Sequence, residues 1–465
     1  KESSAASDVY KRQEKNMDTK KKGFPAAFWV CACTEIFERL AYYLGRSLIL
    51  IFVTASVATG GLGLSDTVAA NMQSNLTAFS YLLPLFGAVI VDKYIGARYT
   101  TPVGMFIAAA GYFTGGIAKS SAGVYAMIFL VSLGLALFKN GAIIGRVITD
   151  KSQMDPAFSM RYTLVNVGAF IGTFLVGILY KDVFAKDGVL GFAPCFKMAA
   201  LMMVLGGLWY IFVCWRFLGD LGKLPFKKTL TEEEKAAEAK KKEETGTKQP
   251  LTTIEKKRIG AIFVASLFSI VFWIFWYLGY MPVYFYWAEN MDWVVAGYQV
   301  PSTWFDAANS LFCVILGPVT AELWKKLAAR PQGDMSLFRK TGLGIAIIGV
   351  GYLFYAAIDI MRGGEKASVL WLIVFAFLLT MGEMFFSPLG HSFISKYSPS
   401  RYLAVMMSVW GFATFIAAKS YGPVYGLLFG GKIEFKVACI GVAVVSFAAA
   451  LIMIALDKKL SALVD

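Results

Sequence analysis

The sequence predicts an all-α polytopic membrane protein whose helices form two groups of six. Of the 465 residues, 57% are hydrophobic and only 16% are charged, which is typical of a chain that lies in a bilayer. Apolar runs long enough to cross about 30 Å of hydrocarbon as helices recur along the chain. A charged stretch near the middle leaves six of these runs on each side.

The N-terminal part of the chain contains a tail and the first bundle. Residues 1–22 are polar and rich in lysine, so we expect a disordered tail. Because Met17 begins a plausible start, residues 1–16 are expected to lie outside the functional protein. The first bundle covers residues 23–218, with predicted spans at about 24–57, 67–91, 99–118, 123–149, 157–180 and 196–218.

The second half repeats this organisation after a cytoplasmic linker. Residues 219–257 contain the run TEEEKAAEAKKKEE, which is typical of a solvated helix or of disorder. The second bundle covers residues 258–457 and is followed by a tail, 458–465. Its predicted spans are at about 259–288, 299–324, 341–360, 367–395, 402–429 and 434–456.

The charge distribution predicts the orientation and excludes several functions. Lysine and arginine are concentrated in the tail, the linker and alternate loops, and the positive-inside rule places these segments and both termini in the cytoplasm. Membrane topology therefore accounts for the net charge of +14 without a nucleic-acid partner. Six scattered cysteines and one histidine provide no metal-binding or catalytic spacing. We expect neither an enzyme, nor a metal, nor a cofactor.

The most informative segment of the first span is EIFERLAYYLGR, residues 35–46 of the chain. On a helix its polar side chains fall within about 140° of one face. They are Glu35, Glu38, Arg39, Tyr42, Tyr43 and Arg46. Charges inside a span are costly unless they are paired or hydrated. The stripe indicates a water-filled cavity that binds a polar solute; the alternative is that the charges neutralise one another and only fix helix packing.

Other spans contain isolated polar residues. Lys139 in the fourth span requires a partner, for which Glu35 and Glu38 are the nearest acids of the same half. Glu383 is a lone acid in the tenth span, and His391 beyond it either titrates near neutral pH or simply ends the helix. The residues that either pack or contact a ligand are Tyr162, Asn166, Asn309 and Trp410.

The loop between the second and third spans reads GAVIVDKYIGAR. Asp92, Lys93 and Arg98 in this loop form either a charge network between helix ends or an ordinary basic cytoplasmic loop. With the arrangement of six spans, a linker and six spans, the loop resembles the major facilitator superfamily. Its members have two halves that rock around a site at the middle of the membrane.

The motifs as a set are similar to those of the proton-coupled oligopeptide transporter (POT/PTR) family. The family signature E-x-x-E-R matches Glu35, Glu38 and Arg39, and two tyrosines and a second arginine follow in register. The segments LFKNG, FSMRYTLVNVGAF, GEMFFSPLGHS and MMSVW resemble further family motifs. Because these matches occur in both halves and in order, they favour this family specifically.

The resemblance implies a role for each group. Glu35, Glu38, Arg39 and Lys139 would form the proton-sensitive network. Arg46 and Lys139 would bind the carboxylate of a peptide, and Glu383 its amino terminus. The remaining substrate contacts would be Tyr42, Tyr43, Tyr162, Asn166, Asn309, Ser387 and Trp410.

Several positions depart from the family pattern, among them Leu76 in the second span, where peptide transporters often have a tyrosine. The seventh span has Trp276 and Tyr277 where the family usually has an acid, Asn140 replaces a proline, and Arg161 replaces an aromatic residue. Asp306, at the extracellular end of the eighth span, is a candidate for the missing acid. It could pair with the second arginine of the stripe when the outer gate closes; the alternative is a helix N-cap.

These inferences predict a proton-coupled symporter that imports di- and tripeptides by alternating access. The alternatives are a related symporter for another small anion or zwitterion, and a substrate sensor that does not transport. The expected partners are a small peptide, protons and the lipid bilayer of the cell membrane. We expect the protein to function as a monomer.

Overall fold

The computed structural model describes residues 23–148, 153–225, 251–331, 335–399 and 402–464, most of which lie in helices. The predicted N-terminal tail and most of the predicted linker lie outside these ranges.

The first half consists of long helices joined by short loops. They are α1 (Ala26–Thr54), α2 (Asp66–Lys93), α3 (Ala97–Ile117), α4 (Ser121–Leu137), α5 (Asn140–Val147), α6 (Met154–Ile178), α7 (Phe192–Trp209) and α8 (Trp215–Leu218). A 3-10 turn, Val57–Thr59, follows α1, and π-helical segments extend α6 over Leu179–Val183 and join α7 to α8 over Tyr210–Cys214.

The second half also consists mainly of long helices joined by short loops. Its helices are α9 (Thr253–Leu278), α10 (Met281–Tyr284), α11 (Tyr286–Asn290), α12 (Trp304–Ala328), α13 (Leu337–Met361), α14 (Trp371–Tyr397), α15 (Leu403–Phe429) and α16 (Phe435–Val464). Four two-residue strands lie in its loops: β1 (Met291–Asp292), β2 (Val294–Val295), β3 (Tyr298–Gln299) and β4 (Ala367–Ser368). β1 pairs with β4 in parallel, and β2 pairs with β3 in an antiparallel hairpin.

Helix ends differ from the predicted boundaries where charged residues extend a helix. α9 begins at Thr253, within the predicted linker, because Thr252 and Glu255 form a reciprocal capping box there. α16 continues to Val464 through most of the predicted C-terminal tail. Hydropathy detects the membrane-spanning part of a helix and misses a charged extension of the same helix.

One interruption occurs where the sequence analysis did not expect it. The fourth apolar run is divided between α4 and α5, and Lys139 stands at the N-cap of α5 with non-helical dihedrals of φ −120° and ψ 29°. α14, by contrast, is continuous through position 388. Lys139 therefore lies at a break in a helix rather than within one.

Eight helical stretches of the described chain are long and apolar enough to cross a membrane. They are Asp66–Val91, Ser121–Val147, Pro156–Val183, Phe192–Leu218, Thr253–Asn290, Trp304–Leu327, Leu337–Met361 and Phe435–Leu463. α1 is as long as these stretches, but it carries the four charges of the polar stripe.

The two halves meet mainly along two helix pairs, α2 with α15 and α6 with α12. A glycine permits the first pair to approach closely. A Cβ atom at Gly422 of α15 would lie 2.9 Å from the Ala70 carbonyl oxygen and 2.9 Å from Asn71 Cα. The backbones of α2 and α15 are thus in direct contact, as small residues allow in membrane helices.

The described hydrogen bonds between the halves lie near the middle of the molecule or toward one end. Ser74 Oγ donates to the Ala418 carbonyl at 2.6 Å, and Trp304 Nε1 donates to the Phe174 carbonyl at 3.2 Å. Both bonds lie away from the end at which α1 begins. Near the other end Tyr162 is 46% exposed. The described bonds between the halves are therefore concentrated away from the start of α1, toward the end at which α1 finishes, which we call the closed end.

The loops at the closed end also join the halves. Tyr298 OH donates to Asp182 Oδ2 at 2.9 Å, and Lys181 Nζ donates to the Gln299 carbonyl at 2.8 Å. Desolvation and the nearby Asp182 carboxylate raise the pKa of Tyr298, so the phenol retains its proton and remains a donor.

Candidate functional site

The first acid of the polar stripe, Glu35, is buried and held from two other elements. Arg161 Nε of α6 donates to Glu35 Oε1 at 3.0 Å. Asn140 Nδ2, at the start of α5, donates to the same oxygen at 3.1 Å and to the Cys31 carbonyl at 2.8 Å. A buried carboxylate requires such partners. Neither Arg161 nor Asn140 was among the predicted site residues.

The second acid, Glu38, is fully buried and pairs within α1. Its two carboxylate oxygens accept from Nε and from a terminal nitrogen of Arg39. The Arg39 guanidinium also lies over the Tyr42 ring, 4.8 Å from its centroid, and the Tyr43 ring meets that of Tyr42 edge-on. This part of the predicted stripe forms a compact set of adjacent charges and rings.

The described hydrogen bond of the Lys139 side chain goes to α2. Its Nζ donates to the Pro84 carbonyl oxygen at 2.7 Å. The described ion pairs of Glu35 and Glu38 are instead with Arg161 and Arg39. The break between α4 and α5 explains the difference, because the backbone of Lys139 departs from the helical path that the sequence analysis assumed.

Arg46, the last member of the stripe, is buried with spare hydrogen-bonding capacity. Its Nη2 has no hydrogen-bond partner among the described residues. The guanidinium carbon lies 5.8 Å from the centroid of the Tyr280 ring. The hydroxyl of this tyrosine is within electrostatic range of Asp306 and Glu383 in the second half. A buried cation therefore stands on the first half, within electrostatic range of Asp306 of the second.

Asp306 connects the two halves directly. Its Oδ2 accepts from Ser47 Oγ of α1 at 3.0 Å and from the Tyr284 hydroxyl. The bond across the halves thus goes to Ser47 rather than to Arg46. The alternative role of Asp306 as a helix N-cap receives no support, because α12 has Thr303 at its N-cap and no side-chain cap bond is formed there.

Glu383 of α14 lies in a buried polar group on the second half. Asn309 Nδ2 donates to Thr380 Oγ1 at 2.8 Å and to Glu383 Oε2 at 3.3 Å. The Cys313 thiol lies 3.7 Å from the same oxygen. These donors are neutral, so no described side chain pairs with Glu383 as a cation. The site can accept a cationic group.

The predicted aromatic and amide residues have described contacts of their own. Asn166 Nδ2 donates to the Tyr162 carbonyl at 3.0 Å, so this bond uses one donor of the Asn166 side-chain amide. Trp410 is buried and stacks on Phe386, with ring centroids 5.9 Å apart. This contact gives Trp410 a packing role whether or not it also contacts a substrate.

The loop residue Arg98 makes contacts other than the expected charge network. Its guanidinium donates to the carbonyls of Trp215 and Gly219, at the C-terminal end of α8. Carbonyls at a helix C-terminus favour a cation. Lys93 is exposed. The side chains of Asp92, Ser387 and His391 lie outside the described part of the structure.

Several residues of the site were missed by the sequence analysis. Arg161 was noted only as a departure from a motif, although a charge inside the fifth span was itself a signal. Ser47 and Tyr284 gave no signal, because serine and tyrosine are common in membrane helices. Among the described residues, no group of three or more His, Cys, Asp or Glu side chains is arranged to hold a metal ion.

Comparison with solved structures shows the fold. A crystal structure of the peptide transporter POT in complex with sulfate superposes with a TM-score of 0.83 at 23% identity and covers 96% of each chain. A structure of a POT family transporter in complex with 5-aminolevulinic acid gives a TM-score of 0.83 at 23% identity, covering 95% of this chain and 98% of that one. The chain has the fold of these helical membrane transporters.

The sequence comparisons find similar transporters. Residues 219–429 match the model of the POT family. The uncharacterized transporter YclF of Bacillus subtilis is 25% identical over 86% of this chain and 87% of its own length. The di-/tripeptide transporter of Lactococcus lactis subsp. cremoris is 24% identical over 83% of this chain and 86% of its own. These matches support the POT family that the motifs predicted and, with the candidate membrane spans, an integral membrane protein.

Proposed function

We propose that this protein is a proton-coupled symporter that imports di- and tripeptides by alternating access. The observation that carries the proposal is the placement of opposite charges on the two halves. Arg46 is buried on the first half with an unused donor, and Glu383 lies on the second half among neutral donors. A peptide carries a carboxylate at one end and an ammonium at the other, so it matches this arrangement.

The proposed architecture is a major facilitator fold of twelve membrane helices with both termini in the cytoplasm. In addition to the eight apolar stretches, we infer that α1, α3, α14 and α15 cross the membrane, since each has at least 21 residues. The two bundles would be residues 23–218 and 258–457. The described contacts between the halves, concentrated toward one end, support a cavity open to the cytoplasm, and the proposed functional unit is a monomer.

In the proposed binding mode, the peptide lies between the two halves. Arg46 would bind its carboxylate, with Lys139 as a second cation on the same half, and Glu383 would bind its amino terminus. Asn309 holds Glu383 in place, so we assign it a positioning role. The substrate backbone would contact Tyr42, Tyr43, Tyr162 and Asn166, with Ser387 and Trp410 on the opposite wall.

Proton coupling would use Glu38 of α1 and Asp306. Glu38 is bonded to Arg39, so a proton on Glu38 would release this guanidinium. Asp306 accepts bonds from Ser47 and Tyr284, so a proton on Asp306 would weaken a contact that holds the outer end closed. Each proton that enters with the membrane potential contributes about 2.3 kcal/mol per 100 mV.

The test is uptake of a radiolabelled dipeptide into proteoliposomes that contain the purified protein. An inward proton gradient is expected to drive accumulation above the external concentration, and an uncoupler is expected to abolish it. Exchange without net accumulation under the gradient would contradict proton coupling. Absence of both uptake and exchange would contradict the peptide substrate.

A further inference from the structure

Two side chains that depart from the family motifs meet at one atom. Arg161 of α6 and Asn140 of α5 are separated in the sequence, yet both donate to Glu35 Oε1, at 3.0 and 3.1 Å. Asn140 replaces a proline of the motif, and Arg161 replaces an aromatic residue. The two replacements together complete the hydrogen bonding of a single buried oxygen.

Of these two partners, only Arg161 supplies a charge. Asn140 is buried, and its amide nitrogen bonds both Glu35 and the Cys31 carbonyl, so it provides a dipole in a fixed position. Glu35 is 2% exposed and Arg161 is 31% exposed in their side chains. Removing the cation would leave a buried carboxylate without compensation, which is strongly unfavourable.

The other charged or titratable groups around Glu35 have their own contacts. Arg39 bonds Glu38, Lys139 Nζ bonds the Pro84 carbonyl, and the Cys214 thiol lies near the Val30 carbonyl and the Thr34 hydroxyl. The charged or titratable side chains on the elements that pack around Glu35 belong to four regions of the chain. They are Cys31, Glu38 and Arg39 on α1; Lys139 at the N-cap of α5 and Arg146 within it; Arg161 on α6; and Tyr210 and Cys214 in the π-helical segment before α8. Arg161 is the described cation in contact with Glu35.

We propose that Arg161 is the counter-ion that keeps Glu35 charged, so that Glu38 is the acid of α1 that exchanges a proton. The part of this inference that concerns proton coupling rests on the proposed function. The two arginines differ in an important way: Arg39 moves with the helix that carries both acids, whereas Arg161 belongs to α6. The Glu35–Arg161 pair therefore fixes α1 to α6, next to Tyr162. Arg161 is a positioning residue for Glu35.

The first test does not depend on transport. Thermal unfolding of the purified protein is measured from about pH 5 to pH 8 for the wild type, R161Q, R161K, E35Q and E35Q/R161Q. In R161Q the buried Glu35 carboxyl lacks its cation, so the folded state is destabilised when Glu35 is ionised and less so when it is protonated. The loss of melting temperature relative to the wild type is therefore expected to increase as the pH rises. E35Q/R161Q removes the buried charge, and its difference from the wild type is expected to be independent of pH. R161K is expected to follow the wild type.

A loss in R161Q that is equal at every pH would overturn the proposal, because it would indicate a purely structural role. A double variant that behaves as R161Q does would overturn it too. If R161Q does not fold, recovery of folded protein in E35Q/R161Q supports the proposal, and failure of both variants to fold contradicts it.

The second test concerns coupling. Gradient-driven peptide uptake by E35Q/R161Q is expected to keep its dependence on Glu38 and its pH profile, whereas R161Q is expected to show a shifted profile. A wild type that does not transport peptides would contradict the proposed function and would leave the unfolding experiment valid.

Discussion

Replacement of Glu383 by glutamine tests the proposed binding of a peptide amino terminus. The change removes one negative charge and keeps the shape of the side chain. A glutamine oxygen can still accept the hydrogen bond from Asn309, at 3.3 Å in the structure. The buried group on α12 and α14 is therefore expected to remain folded, and the loss should be confined to the contact with a cation.

The size of the effect follows from that contact. A hydrogen bond to a charged group contributes about 1.5–3 kcal/mol, which corresponds to about a 10- to 150-fold weaker dipeptide affinity. An N-acetylated dipeptide has no ammonium and cannot make this contact. Its affinity is expected to change by less than about threefold, which is below about 0.7 kcal/mol.

The assay is competition of each ligand against counterflow of a labelled dipeptide in proteoliposomes, for the wild type and E383Q. Cys313→Ala is the matched control, because it removes a neighbour of the same carboxylate oxygen and leaves the charge intact. C313A is expected to bind the free and the acetylated dipeptide with the affinities of the wild type. An equal loss of affinity for the free and acetylated dipeptides in E383Q would refute this role of Glu383.

Three further predictions follow. Glu38→Gln should abolish proton-driven accumulation but retain some counterflow, because glutamine cannot exchange a proton; full accumulation by this variant would exclude Glu38 from coupling. Asp306→Asn should fold normally and flatten the dependence of uptake on external pH, since asparagine can accept the bond from Ser47 but does not titrate. An unchanged profile would rule out a coupling role for Asp306, and Ser47→Ala serves as the control that keeps the acid. Arg98→Gln should lower the free energy of unfolding by about 1–3 kcal/mol through the loss of part-buried hydrogen bonds to the Trp215 and Gly219 carbonyls. The expected readout is a lower melting temperature with unchanged uptake per folded molecule; a loss of uptake with normal stability would instead indicate a gating role.

The sequence by itself identified the helices and the polar residues of α1. Hydrophobicity and the 3.6-residue period are local properties, and a helix has the same geometry in any surroundings. The predicted spans therefore coincide with the helices to within a few residues, apart from ends such as Thr253, where a charged extension follows a capping box. The motifs of both halves were likewise sufficient to predict the family.

The tertiary structure alone decided which groups pair. From the sequence, Lys139 was expected to meet the acids of α1, but a break in the helix directs its side chain to the Pro84 carbonyl, and Arg161 reaches Glu35 instead. Asp306 likewise hydrogen-bonds Ser47 and the Tyr284 hydroxyl, and Arg46 lies within electrostatic range of it without a described direct bond. The physical reason is that a contact between helices depends on their rotation, depth and crossing angle. These are fixed by packing over the whole interface, including close approaches such as Gly422 against Ala70, and no local pattern encodes them.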